Sequence, residues 1–177
     1  MSRTPTQLSG IADYIENPSL LGENVEPTHV PTVPYGSAEA ALDSLDGLTS
    51  PEQRWSESEY VSLLNGEGGF KWVERPADLP DLDLDGEWDS IPVPAVWQLE
   101  GYDRPIYRNH ELTWERLPEV DGSPEAPAVP EEFNPVGTYR RTVDVPADWG
   151  GDRRTHLHFA GVKSAFFVWI DGEYVEI

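Results

Sequence analysis

The triplet His156-Leu157-His158 puts two imidazoles on one side of an extended chain, a spacing that could begin a zinc site. Zinc needs at least one further protein ligand, and no third ligand of known proximity can be named from the sequence. The residues alone therefore favour two histidines on the solvated face of a strand. His29 and His110 stand isolated. Asp81, Asp83, Asp85 and Gly86 reproduce the opening of a calcium-binding loop. The final ligand position of such a loop falls on Pro92 instead of glutamate, and no helical pattern flanks it. The paired acids Glu131-Glu132 could serve acid–base chemistry, yet in so acidic a chain such runs are expected on the solvated surface. Trp72, Trp97 and Trp169 could stack on a sugar ring. Their alternation with polar neighbours reads instead as sandwich core. Neither a phosphate loop, a dinucleotide fingerprint nor a G-x-S-x-G elbow occurs.

These residues sit in a chain of 177 residues with 33 Asp+Glu, 12 Lys+Arg and a formal net charge of −21. The length suits one domain with a sizeable core. A hydrophobic content of 38% raises the question of disorder, which seven Trp, seven Tyr and five Phe answer in favour of a folded protein. The charge argues against nucleic acid and anionic membranes as partners, because phosphate binding rests on Lys and Arg. The absence of cysteine removes disulfides, thiolate metal sites and cysteine nucleophiles. Only Lys71 and Lys163 are lysines. Acidic excess with so few lysines is the expectation for a protein working in concentrated salt, which screens self-repulsion. The apolar run around Ala165–Ile170 is far short of a membrane span, and Met1–Gly10 lacks the pattern of a secretory signal. A cytoplasmic location is the expectation.

The elements that must position the side chains fall into two parts. Residues 1–60 read as an extended, Pro-rich arm with short helices. Pro27, Pro31 and Pro34 exclude a helix or central strand there. Helices are expected at Ser37–Leu45, with Ser37 as cap, and from Ser50, with Pro51 at the first helical position. Residues 61–177 read as short strands between turns. Asn65-Gly66 is a tight-turn pair before the alternating Phe70-Lys71-Trp72, and Trp88–Val93 forms a further extended piece. Prolines from Pro118 to Pro135 require a long loop. Strands are then expected at Tyr139–Val145, Arg154–Phe159 and Ser164–Ile170, with Asp171-Gly172 turning into Glu173–Val175. The expected fold class is all-β, a sandwich. The chain stops at Ile177 within a strand, so the sandwich is expected to be incomplete.

Five blocks, in order, carry a resemblance. Leu64-Asn65-Gly66 with Phe70-Lys71-Trp72 resembles the entry strand of the amino-terminal domain of glycoside hydrolase family 2, and Ile91–Gln98 resembles its V-P-x-x-W-Q segment. Gly101–Asn109 is similar to the G-Y-D-x-P-I-Y-x-N segment of that family's large β-galactosidases. Asn134–Tyr139 is similar to their N-P-x-G-x-Y. Leu157–Phe166 with Trp169–Gly172 resembles their F-x-G-V-x-S-A-F-x-x-W-x-N-G hairpin. Glu16-Asn17-Pro18 also fits the arm of the same enzymes.

The resemblance implies a jelly-roll, galactose-binding-like sandwich ahead of a separate TIM barrel. On that barrel two glutamates hydrolyse β-galactosides with retention. None of the barrel is in this chain, so the fragment alone is expected to be inactive and to act with the enzyme's remaining domains, in a homo-oligomer when full-length. The carry-over to this chain is Asn109, the position of an asparagine that hydrogen-bonds galactosyl hydroxyls. An amide both donates and accepts, as hydroxyls require. Tyr102 and Tyr107 are expected to support that loop. Magnesium and sodium are implied for the full-length enzyme. Asn17 matches an arm residue near the magnesium, but Tyr14 stands where its acidic companion would be, so no metal is assigned to this fragment. The alternative reading is a stand-alone, lectin-like carbohydrate-binding module.

Overall fold

Phe70 and Ile91 are fully buried, and the sheet that holds them is the centre of the molecule. The computed structural model describes residues 12–20, 22, 25–47, 50–79, 86–105, 128–131, 133–163 and 165–175. Strand β1 (Gly66–Val73) pairs antiparallel with β2 (Asp89–Val93) on one edge and with β3 (Val136–Arg140) on the other. The registers Gly68↔Ile91 and Phe70↔Tyr139 carry the ladders. Strands β4 (Val168–Ile170) and β5 (Glu173–Val175) form a separate hairpin. The fold is all-β, with the α-helices among the described residues lying in the arm.

Alternation along β1 explains the layering. Phe70 points into packing made by Trp97, Tyr102 and Tyr139, at ring-centroid distances of 6.2, 4.6 and 4.8 Å. On the opposite face Trp88 lies over Gly69, with Lys71 Nζ and the Arg140 guanidinium 4.7 and 4.5 Å from its ring. Asp171 and Gly172 join β4 to β5 with φ of 52° and 80°, the two positive values of a type I′ turn.

The arm helices follow their caps. Helix α1 spans Ala12–Ile15, α2 spans Ala38–Asp43 and α3 spans Pro51–Ser56. The Ser37 hydroxyl accepts from Ala40 N–H at 3.1 Å. Ser50 and Gln53 form a reciprocal capping box at the start of α3. Between α1 and α2, residues 25–35 form neither helix nor strand.

Three strand expectations need correction. The third strand lies at Val136–Arg140 and does not reach Val145. The Arg141 guanidinium donates to the carbonyls of Asn65 (3.2 Å) and Glu67, so a side chain takes main-chain acceptors where the ladder would continue. Arg154–Phe159 pairs with no strand among the described residues, and of the expected Ser164–Ile170 the described residues in a ladder are Val168–Ile170. Alternation sets which way side chains face, whereas a strand also needs a partner backbone.

A methyl group on Gly137 would lie 2.5 Å from Trp97 and 2.8 Å from Phe70. Gly137→Ala is therefore expected to cost about 1–3 kcal/mol through overpacking, read as a lower urea midpoint at unchanged m. Gly150→Ala, with open space around the new methyl, should change stability by less than about 0.5 kcal/mol.

Candidate functional site

The residues leading to Asn109 are held by the sheet's own core. After β2, Val96–Glu100 closes a single 3-10 turn, with Leu99 N–H on Val96 O at 2.8 Å and Tyr102 N–H on Trp97 O at 3.1 Å. This brings Trp97 and Tyr102 onto Phe70 from one loop. Asp103 follows with φ of 61°, and the Arg104 guanidinium lies 5.6 Å from the ring of the buried Phe133. The loop Gly101–Pro105 thus touches β1 through Tyr102 and the segment before β3 through Arg104. The expectation that Tyr102 supports its loop agrees with this packing. Asn109 itself lies outside the described residues, as do Tyr107 and His110.

Electrostatics at this rim come from two phenols. Burial raises the pKa of the Tyr102 hydroxyl above the ordinary tyrosine value, and its hydrogen bond to the Asp89 carboxylate adds to this. Burial does the same for Tyr139. Elsewhere, Asp78 is pulled below the usual carboxylate range by the two bonds it accepts from Arg75, both 2.8 Å, on the exposed surface.

The other candidates resolve in simpler ways. His156 Nδ1 is 3.9 Å from Glu26 Oε1, beside the Arg154–Glu26 pair at 3.5 Å. The His158 ring stacks on Trp55 at 5.4 Å. Both imidazoles are exposed and meet the arm, His156 at Glu26 and His158 at Trp55. Among the described residues no group of three His, Asp or Glu could hold a metal ion. Asn17 Oδ1 accepts the Ser19 N–H at 3.1 Å in an exposed turn. Asp81, Asp83, Asp85 and Glu132 lie outside the described residues; Glu131 is exposed. Trp97 and Trp169 are half-buried, Trp169 packing at 5.3 Å on Tyr174, and Trp72 is half-buried as well. Their indole nitrogens are buried, with no acceptor among the described residues.

The arm's contacts with the rest of the chain were not legible in its residues. Glu16 accepts the Val129 N–H at 2.9 Å, and Tyr14 meets Phe167 edge-on at 6.0 Å. Arg153 lies 5.3 Å from the Tyr60 ring. Only the alternation of Arg154, His156 and His158 could have signalled a contact face.

Comparison with known proteins now bears on this geometry. The family model described as "Glycosyl hydrolases family 2, sugar binding domain" matches residues 61–177. The chain belongs to glycosyl hydrolase family 2. Its sandwich is of that family's jelly-roll type. The chain is also 36% identical over 174 residues to a β-galactosidase of Priestia megaterium, covering 94% of this chain and 15% of that protein. A β-galactosidase of Erwinia tasmaniensis is 36% identical over 163 residues, covering 90% of this chain and 14% of the relative. One from Psychromonas ingrahamii is 35% identical over 165 residues, with the same coverage. The chain therefore spans about one-seventh of the length of these family 2 relatives. None of its described helices is long and apolar enough to cross a membrane.

Because the folded state raises both phenol pKa values, it favours the protonated rings. That contribution is fully present below the unfolded tyrosine pKa of about 10 and is lost as pH climbs through the folded-state values. Thermal midpoints should fall as pH rises above the unfolded tyrosine value of about 10, and Tyr102→Phe should make the fall shallower. Melting curves paired with phenolate absorbance report both effects.

Proposed function

We propose that this chain is the amino-terminal part of a β-galactosidase, with residues 1–60 as its arm and 61–177 as its sugar-binding sandwich. The observation that carries this is the Gly101–Pro105 loop, anchored on the sheet core through Tyr102 and leading into Ile106-Tyr107-Arg108-Asn109. Similarity to three enzymes named β-galactosidase over at least 90% of the chain supports it. In this reading the intact enzyme hydrolyses terminal β-D-galactosyl residues of substrates such as lactose, in the cytoplasm and as a homo-oligomer. The acid/base and nucleophile belong to the rest of the longer enzyme. Asn109 contributes its amide to the galactosyl hydroxyls, accepting through Oδ1 and donating through Nδ2. Magnesium and sodium are implied for the intact enzyme by the family resemblance.

The purified 177-residue chain is expected to show no galactoside turnover above background, and turnover would overturn the division of labour. In the full-length enzyme, Asn109→Ala should lower kcat/KM by roughly ten- to a hundredfold, the worth of one or two hydrogen bonds to a bound sugar. An unchanged value would remove Asn109 from the subsite. Calorimetry separates the lectin-like alternative: millimolar or tighter binding of lactose through Asn109 in the isolated chain would favour it.

We further propose that the charge of −21, with two lysines, suits concentrated salt. At about 1 M the Debye length shrinks to about 3 Å, so repulsion between surface carboxylates is screened. The chain should lose near-ultraviolet dichroism at low ionic strength and regain it in molar salt; equal stability in both would refute the adaptation.

A further inference from the structure

A cavity of about 530 Å³ lies in the arm, between the extended strap of residues 31–35 and the pair α2 and α3. Its lining is outside the 61–177 family match and includes no residue of the Gly101–Pro105 loop. We propose that this cavity is a second carbohydrate site, one that takes the ring of a neutral pyranoside. The proposal goes beyond the reading of Asn109.

Its walls are fixed before any ligand arrives. The Tyr35 hydroxyl donates to Arg54 O at 2.8 Å, and Ser58 Oγ donates to Pro34 O at 2.5 Å, so the strap is pinned to α3 and the segment after it. Trp55 lines the cavity while stacked on His158 with only 25° between the ring planes, which sets the orientation of the indole. The volume falls within the range of small-molecule pockets, and preformed walls reduce the ordering cost of binding.

The chemistry of the lining selects the ligand. Tyr35 and Trp55 offer aromatic surface, with Val33 and Leu45 beside them. Leu45 is 50% exposed, so apolar surface remains for a ligand to cover. Arg54 has no carboxylate partner among the described residues, although the chain holds 33 acids. Pro31 and Pro34 bracket Thr32 and Val33, whose peptide groups make no hydrogen bond among the described residues.

Three ligand classes can be weighed against this. A purely apolar ligand would strip water from the guanidinium and the strap's peptide groups without replacing its hydrogen bonds. A small anion would suit Arg54 alone, but it would approach against a net charge of −21 and leave the aromatic surface unused. A neutral pyranoside meets both demands. Its C–H face covers the rings, and its hydroxyls accept from Arg54 and exchange hydrogen bonds with the strap.

Two-dimensional 15N–1H spectra of the 177-residue chain test this, following the Trp55 Nε1–H during titration with methyl β-D-galactopyranoside. Mannitol, a polyol without a ring face, and benzoate, an apolar anion, are the controls. The glycoside should shift the Trp55 signal saturably, and neither control should. Ala41→Phe fills the cavity from α2, and Arg54→Ala removes the donor; each should weaken the apparent Kd at least tenfold with the remaining indole signals in place. Absence of a saturable shift, an unchanged Kd in both variants, or an equal response to benzoate would overturn the proposal. Asn109→Ala must leave the Trp55 titration unchanged. Loss of binding in that variant alone would assign the sugar to the Asn109 loop and sink the arm site, while the kinetics of the full-length enzyme judge Asn109 separately.

Discussion

The close approach of Phe70 to Gly137 sets the geometry of everything around it. Phe70 is fully buried because β3 presents no side chain at that position, and the Trp97 ring fills the space a Cβ would take. The same phenylalanine receives Tyr139 from β3 and Tyr102 from the loop after β2. One ring thereby couples the β1–β3 pairing to the loop that leads to the proposed sugar contact. Around Phe70 the core and the rim of the site are the same set of contacts, and a change of shape in either reaches the other.

The arm is attached in a different manner. Residues 153–158 lie extended with no strand beside them among the described residues, yet Arg154 and His156 meet Glu26 and His158 meets Trp55. Side chains on alternate positions make the contacts that a neighbouring backbone would otherwise supply. The Arg154–Glu26 pair is exposed and contributes at most about 1 kcal/mol. The weight therefore rests on stacking and on apolar contact, at Trp55–His158 and at Tyr14–Phe167. Such contacts persist when salt screens the ion pair.

What could be read in advance follows from how local each signal is. Ser37, Ser50 with Gln53, and Asp171-Gly172 act within four residues of themselves, and each forms the cap or turn its chemistry demands. The all-β class followed from short alternating runs and abundant turn residues. The ends of the strands were not legible, because they depend on partners distant in the chain. Nothing in Tyr139–Val145 reveals that Arg141 will take the carbonyls of Asn65 and Glu67. Nor does Arg154–Phe159 disclose that its polar side meets the arm while Leu157 and Phe159 remain about half exposed. Asn109 came from a motif rather than from periodicity, and its place rests on the loop before it.

Charge and ligand chemistry fit together in this chain for a physical reason. A neutral sugar feels no net force from a charge of −21, and it is recognised by hydrogen bonds and ring contacts that act over a few ångströms. Salt that screens carboxylate repulsion hardly weakens such contacts. A surface can therefore be loaded with acids to suit its solvent while a sugar site beneath keeps its geometry. A site for phosphate or for another anion could not be separated from the surface in this way, because the surface charge that suits the solvent would repel the ligand. The near absence of lysine and the presence of a sugar-binding sandwich are thus independent features of the sequence, each free to change without cost to the other.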